Sequence, residues 1–295
     1  MVGKLFYERI PPSLDDNLCK GYMAKRVESP SSINTFKQCK RKYYYQYIEK
    51  LPTKGSIHLV RGNIVHSTLE DFYDLSIEGI NSENYMQGFK MMLQKEFVRQ
   101  WGNYKEKLEE LNMSKDQLAF YFEESLMMVL NWSDHFLDEF SLELKKGLSV
   151  QDAFKVLTPI REQEYHSEKH MVRGFIDAIQ ERDGEIHIID YKTNKRSEIK
   201  DSIQLQLAIY SLLYHEKHGK IPGKVGVFFM RDRLKMLETN MAMVERAKRD
   251  IIAVHQHTTN TANKFDYHRT VTPLCKWKTG QCDFFDVCKP LNNWL

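Results

Sequence analysis

Between Val172 and Thr193 the chain reads V-R-G-F-I-D-A-I-Q-E-R-D-G-E-I-H-I-I-D-Y-K-T, and Asp177, Asp190 and Lys192 in it could serve metal-assisted phosphodiester hydrolysis. Two apolar, β-branched runs flank Asp183-Gly184, a dipeptide suited to a two-residue hairpin turn. With that turn, pairing counts outward from 182 opposite 185 to Asp177 opposite Asp190. The two carboxylates become cross-strand neighbours with Cβ atoms about 4.5–5.5 Å apart. Period-two alternation sets Lys192 on the face of Asp190, in line with Ile186 and Ile188, and Asp177 on the face of Phe175. Like charges facing each other destabilise a hairpin. A divalent cation between them offsets that cost, with two acids as ligands and a lysine beside the attacking water. A D-x-K tripeptide alone is ordinary on a solvated hairpin; charges that continue an apolar stripe point to function.

A second set of potential ligands lies near the C-terminus. The run C-K-W-K-T-G-Q-C-D-F-F-D-V-C carries Cys275, Cys282 and Cys288, three of the five cysteines in the chain. Thiolates so close together suit one metal centre, and both Zn²⁺ and iron–sulfur clusters commonly take four protein ligands. The fourth would come from Cys19 or Cys39, with Cys39 favoured because it falls within an expected helix. Spacing does not choose between zinc and a cluster. Either would clasp the first helix to the tail.

Composition sets wide bounds. A chain of 295 residues, 42% hydrophobic and 28% charged, suits a soluble protein of one large domain or two small ones. The net charge of +3 leaves any nucleic-acid surface local. No apolar run reaches the roughly 20 residues of a membrane span, and the first residues lack a signal-peptide segment. A cytoplasmic location with no membrane partner is expected, and a reducing compartment favours metal ligation over disulfides.

The elements that must position these residues are readable by period. Residues 1–30 look irregular. A helix capped by Ser31 or Ser32 runs to about Tyr47, with Phe36, Tyr43 and Tyr47 as its core stripe. Lys37, Lys40, Arg41 and Lys42 cluster beside three tyrosines, a pattern suited to phosphate contact and base stacking, so Lys40 and Arg41 are possible site residues. A helix over about 64–77 turns Val65 and Leu69 inward and carries His66, which by itself reads as structural. Residues 82–148 read as a helical insertion of three helices, broken near 112–114 and 131–132, and 105–110 is a solvated charge run. A strand over 160–166 carries Glu162 and Glu164 on one face. After the hairpin come a helix over 203–215 with Gln206 and Tyr210 at i, i+4, a strand over 225–229, and a helix over about 241–256. The order β-β-β-α-β-α implies a mixed α/β core with a helical insertion.

Taken together, these motifs resemble a RecB-type nuclease of the PD-(D/E)XK superfamily. They are most similar to its iron–sulfur branch, which includes the CRISPR-associated exonucleases and the AddB nuclease domain. That family carries, in order, a helical histidine, an aspartate, an acid followed by x-K, and a Q-x-x-x-Y helix. Here these match His66, Asp177, Asp190-Tyr191-Lys192 and Gln206 with Tyr210. Its cluster ligands match Cys39, Cys275, Cys282 and Cys288. The resemblance spans residues 31–290. Two features depart from it: six residues separate Cys275 from Cys282 where two are usual, and Ile176 replaces a proline before the first acid.

The resemblance implies a restriction-endonuclease-like fold in a single nuclease domain over 31–295, with a cluster-binding tail over 270–290. It implies a metal-dependent DNA exonuclease favouring single-stranded ends and leaving 5′-phosphates, in repair, recombination or CRISPR adaptation. Asp177, Asp190, His66 and the Tyr191 carbonyl would bind Mn²⁺ or Mg²⁺, the imidazole favouring Mn²⁺. Lys192 would orient or deprotonate water, Gln206 and Tyr210 would position the strand, and Glu164 is a further possible site residue. The cysteines would hold a [4Fe–4S] cluster, with Zn²⁺ the less favoured occupant. Two rival readings are a non-catalytic DNA-binding or assembly subunit, and a nuclease active only within a helicase complex.

Overall fold

The computed structural model describes residues 24–261, 263–278 and 280–289. Most of the segment expected to be irregular, and Cys19 with it, lies outside the described residues.

The central hairpin forms around the turn its sequence demands. Asp183 and Gly184 both adopt positive φ, 52° and 78°, the geometry whose twist matches flanking antiparallel strands. It joins β2 (Val172–Arg182) to β3 (Glu185–Lys192), with Arg182 opposite Glu185 and Ala178 opposite Ile189. Strand β1 (Ile160–Ser167) adds antiparallel to β2. After β3, helix α8 (Asp201–His218) crosses over to β4 (Lys224–Phe229), which pairs parallel to β3. Strand β5 (Leu234–Glu238), for which no period signalled an element, closes the order β1-β2-β3-β4-β5.

Helices cover both faces of this five-stranded mixed sheet. On one side α1 (Pro30–Gln38), α8 and α9 (Met241–Asn260) pack against Ile176, Ile188, Val225, Val227 and Phe229. On the other, Ala178, Ile189, Tyr191 and Phe228 meet α3 (Ile57–Phe72), α4 (Tyr85–Asn103), α6 (Lys115–Lys145) and α7 (Val150–Leu157). The short α5 (Lys105–Glu109) is exposed apart from Leu108, as a charge run should be. With cover on both sides, β4 is apolar on both faces, Val225, Val227 and Phe229 toward one layer and Phe228 toward the other. No helix among the described residues is long and apolar enough to cross a membrane.

Several boundaries differ from expectation for identifiable reasons. Ser29, not Ser31 or Ser32, caps α1, in a reciprocal capping box with Ser32 and with Pro30 in the first turn. The helix does not run unbroken to Tyr47. Cys39 is extended (φ −160°, ψ 109°), and a new start, α2 (Lys40–Tyr43), leads into a π-helical turn at Tyr44–Ile48. Helix α3 begins earlier, capped by Ser56. Within the insertion Ser114 caps α6 near the expected break, but Asn131-Trp132 does not interrupt it. Asn131 instead donates its side-chain amide to the Met230 and Asp232 carbonyls, 3.2 and 2.9 Å away.

Phe72 ties α3 to the insertion. It is fully buried, with ring centroids of Phe89, Trp132, Phe136 and Phe154 within 6.0 Å. Phe72→Ala should cost about 3–5 kcal/mol, read as a lowered denaturation midpoint at unchanged m. A loss below about 1 kcal/mol would show that the insertion does not brace this helix.

Candidate active site

At Asp177 the sheet stops behaving as a sheet. Backbone pairing between β2 and β3 is regular to Ala178↔Ile189, and one step on the Tyr191 N–H donates to the Asp177 carboxylate, 2.7 Å from Oδ2. On the other flank, pairing passes from Arg161↔Ala178 to Gln163↔Ile176, skipping Glu162 and Asp177. Glu162 takes a left-handed backbone (φ 43°), strained for a strand residue and of the kind that gathers at functional sites. Alternation slips here too: Ile176 packs on the α8 side and Ala178, two residues on, packs on the opposite side. Asp177 therefore does not simply continue the face of Phe175, which is half exposed.

Helix α3 brings His66 to this break. Its Nδ1 lies 3.6 Å from Asp177 Oδ2 and 3.8 Å from Glu162 Oε1. Its Nε2 lies 3.0 Å from the Tyr191 carbonyl oxygen and donates to it. Among the described residues, His66, Glu162 and Asp177 form the one group of three or more metal-competent side chains whose ligand atoms lie within 4.8 Å of one another. The expected set is thus regrouped. Asp190 turns its oxygens away: Oδ1 accepts from Gln206 at 2.7 Å, and Oδ2 lies 2.6 Å from the Lys192 ammonium. The Tyr191 carbonyl is taken by His66. Gln206 also donates to the Tyr210 hydroxyl at 2.7 Å, so the i, i+4 pair on α8 braces Asp190.

Glu164 lies outside this group. It is exposed and pairs with Arg173 at 3.4 Å, opposite Phe175. Glu162, two residues earlier, stands in the site instead. The sequence put both acids on one strand face; only the break opposite Asp177 separates them.

Burial makes the charges interdependent. It pushes the Asp190 carboxyl up, to about 6, with Lys192 opposing and Asp177 adding to the rise. Burial would likewise raise Asp177, but the imidazolium of His66 holds it below its ordinary value. For His66, burial works against the charged form and loses to Asp177 and Glu162, which raise it to about 10. Lys192 is also raised, the Asp190 carboxylate outweighing desolvation. Two acids in adjacent register are thus shifted in opposite directions, each beside its own cation.

The site opens into a groove of about 920 Å³ whose lining includes His58, Arg61, His66, Glu162, Lys192 and Lys195. Its rim is braced from the insertion: Glu124 of α6 binds Arg61 and, at 2.6 Å, Arg231. Both guanidiniums also reach the Thr193 carbonyl, at 3.5 and 3.4 Å, just past Lys192. No local sequence pattern marks these three residues as partners.

The basic and cysteine motifs are distributed as follows. Arg41 is buried and donates Nε to the Tyr267 carbonyl at 2.8 Å, so it joins the first helices to the tail instead of facing a ligand. Lys40 sits 5.2 Å from the Phe36 ring. Cys39, at the break between α1 and α2, lines a cavity of about 590 Å³ with Cys275 and Cys282. Cys288, in the short helix α10 (Phe285–Cys288) at the end of the tail, has its thiol pushed up by burial and then by the neighbouring Cys39 and Cys275, against Arg269. The tail is seated by Phe284, whose ring lies 5.7 Å from that of Tyr45.

No curated protein matches the chain. Among solved structures, one described as a "putative exonuclease" from Eubacterium rectale is 12% identical, covering 97% of this chain and 98% of its own at a TM-score of 0.45. Another, described as SSO0001, is 17% identical over 66% of this chain and 86% of its own, at a TM-score of 0.23. The sequence profile of the PD-(D/E)XK nuclease superfamily matches residues 28–289, nearly the whole described chain, and the protein belongs to that superfamily.

Proposed function

We propose that this protein is a divalent-metal-dependent deoxyribonuclease, an exonuclease acting on single-stranded ends to leave 5′-phosphates, within one nuclease domain over 31–295. We place it in the iron–sulfur branch and in cytoplasmic DNA repair, recombination or CRISPR adaptation. One observation carries the nuclease reading: His66, Asp177 and Glu162 converge within 4.8 Å beside a lysine–aspartate pair, at an open groove of about 920 Å³.

The donor set fits a divalent ion. One imidazole nitrogen and two carboxylates suit Mn²⁺ better than Mg²⁺, which prefers an all-oxygen shell. When bound, the ion supplies Lewis-acid polarisation of a phosphoryl oxygen and acidifies a water. The chain's own groups do the rest. The Tyr191 carbonyl accepts from His66 Nε2 and so presents Nδ1 as the ligand atom. Lys192, held charged by Asp190, places a fixed cation where negative charge grows on the phosphorane oxygens. Its raised pKa favours orientation and charge stabilisation over proton abstraction, since a stabilised ammonium is a poor base at neutral pH. Gln206 locks Asp190, and Tyr210 locks Gln206.

Four cysteines are the donor set a cluster takes: Cys39, Cys275 and Cys282 line one cavity, and Cys288 is near enough to Cys39 and Cys275 for them to raise its thiol. A [4Fe–4S] cluster there would fasten the tail to the break between α1 and α2.

With end-labelled single-stranded DNA and Mn²⁺, Asp190→Ala and Lys192→Ala should each lower kcat by about 10²–10³-fold. Undiminished cleavage in both variants would overturn the assignment. Binding without cleavage by the wild type would mark a DNA-binding subunit, and strong activity only with a helicase would place the chain in a complex.

Metal binding should release a proton. With its pKa raised to about 10, His66 is an imidazolium in the metal-free site at pH 7.5, and an ion taking Nδ1 must displace that proton. Affinity should therefore rise with pH toward about 10 and fall further as Asp190 protonates below about 6. Calorimetry in two buffers of different ionisation enthalpy should give roughly one proton per Mn²⁺, lost in His66→Ala. No proton release in the wild type would exclude His66 as a ligand.

Anaerobically purified protein should absorb broadly in the visible, and Cys39→Ser should bleach it. A colourless wild type holding one Zn²⁺ would replace the cluster with zinc.

A further inference from the structure

We propose that Trp277 is the stacking platform for a base of the single-stranded substrate, reached by a path that leaves the acid site past His58. This rests on the nuclease reading above and names how the same site selects its substrate.

The acid-site groove and the cysteine-lined cavity share a wall. His58, in the first turn of α3, lines both. His66 sits two turns further along the same helix, so a strand whose phosphate lies at the metal ligands is directed along α3 toward its N-terminus. Beyond His58 the second cavity is bordered by Ser56, Lys54, Lys42 and Trp277, with Asp283 as its one acid. Lys42 and Lys54 have no carboxylate within 4.0 Å among the described residues, and neither has Lys195 at the opposite end of the path. Three ammonium groups lining the two adjoining cavities without a carboxylate partner among the described residues suit a phosphate backbone more than a neutral ligand.

Trp277 has the properties of a platform. It lies on a two-stranded ribbon, β6 (Lys276–Trp277) and β7 (Gly280–Gln281), opposite Gly280. The indole rests against that glycine so closely that a Cβ there would meet the ring at 2.9 Å. The opposite strand thus supports the ring. About half of the residue (48%) stays in solvent, and it has no aromatic partner among the described residues. An indole held against backbone and left open to water is poised for a flat apolar ligand. Bases inside a duplex are already stacked on each other, whereas those of a single strand are free to use it.

Binding of fluorescent oligothymidylate is measured in Ca²⁺, beside hydrolysis of thymidine 5′-p-nitrophenyl phosphate in Mn²⁺. Trp277→Ala should weaken oligonucleotide binding roughly tenfold, the effect of losing one base–aromatic stack. Trp277→Phe should bind within about twofold of wild type, yet lose the tryptophan quenching that wild type shows on binding. Hydrolysis of the small diester, too short to reach the ribbon, should stay unchanged in both. Visible absorbance checks that the tail is intact; where Trp277→Ala loses it, quenching in Trp277→Phe decides. Wild-type affinity in an intact Trp277→Ala, or undiminished quenching in Trp277→Phe, would overturn the proposal. Failure of wild type to hydrolyse the diester would instead sink the nuclease reading, while binding still judges Trp277.

Discussion

The site depends on one hydrogen bond that replaces a piece of β-sheet. Asp177 accepts the Tyr191 N–H with its side chain, in the region where a regular hairpin would continue its ladder through backbone carbonyls. This satisfies a buried donor while removing Asp177 from the normal alternation of the strand. It also frees the Tyr191 carbonyl for His66 and leaves room opposite for Glu162, whose backbone twists into the left-handed region. Three residues from β1, β2 and α3 thereby share a point that an unbroken sheet would fill with apolar side chains.

Electrostatics then decides what the point can do. Two buried carboxylates in adjacent register would repel each other strongly. The fold divides them: His66 neutralises Asp177, and Lys192 neutralises Asp190. The first pairing is exchangeable, since a divalent ion can replace the imidazole proton. The second is fixed by the second oxygen of Asp190, held through Gln206 and Tyr210. A site with one replaceable cation and one permanent cation suits charge development on a phosphoryl group better than two free acids would.

Much of this was legible in the sequence because it obeys short-range rules. Asp183-Gly184 dictates the turn, the turn dictates register, and register puts Asp177 next to Asp190. The i, i+4 spacing of Gln206 and Tyr210 was enough to foresee their contact. What escaped depends on departures from period or on distant partners. Strict alternation puts Glu162 and Glu164 on one strand face and cannot show the slip at Asp177 that separates them. The break at Cys39 is followed by a tertiary bond from the Arg41 N–H to the His268 carbonyl at 3.2 Å, and the continuity at Asn131 goes with its bonds to Met230 and Asp232. Arg61, Glu124 and Arg231 come from three separated segments, and Arg41, read as a phosphate contact, is spent on Tyr267.

The choice between two glutamates two residues apart is therefore the sharpest trial of the slipped strand. Mn²⁺ affinity can be followed by loss of the free-ion EPR signal in Glu162→Gln and Glu164→Gln. The expected result is a drop of roughly tenfold or more for Glu162→Gln, since even outer partners of a metal cost that much, and wild-type affinity for Glu164→Gln. Weakened binding in Glu164→Gln with Glu162→Gln unaffected would contradict the geometry on which the site is built.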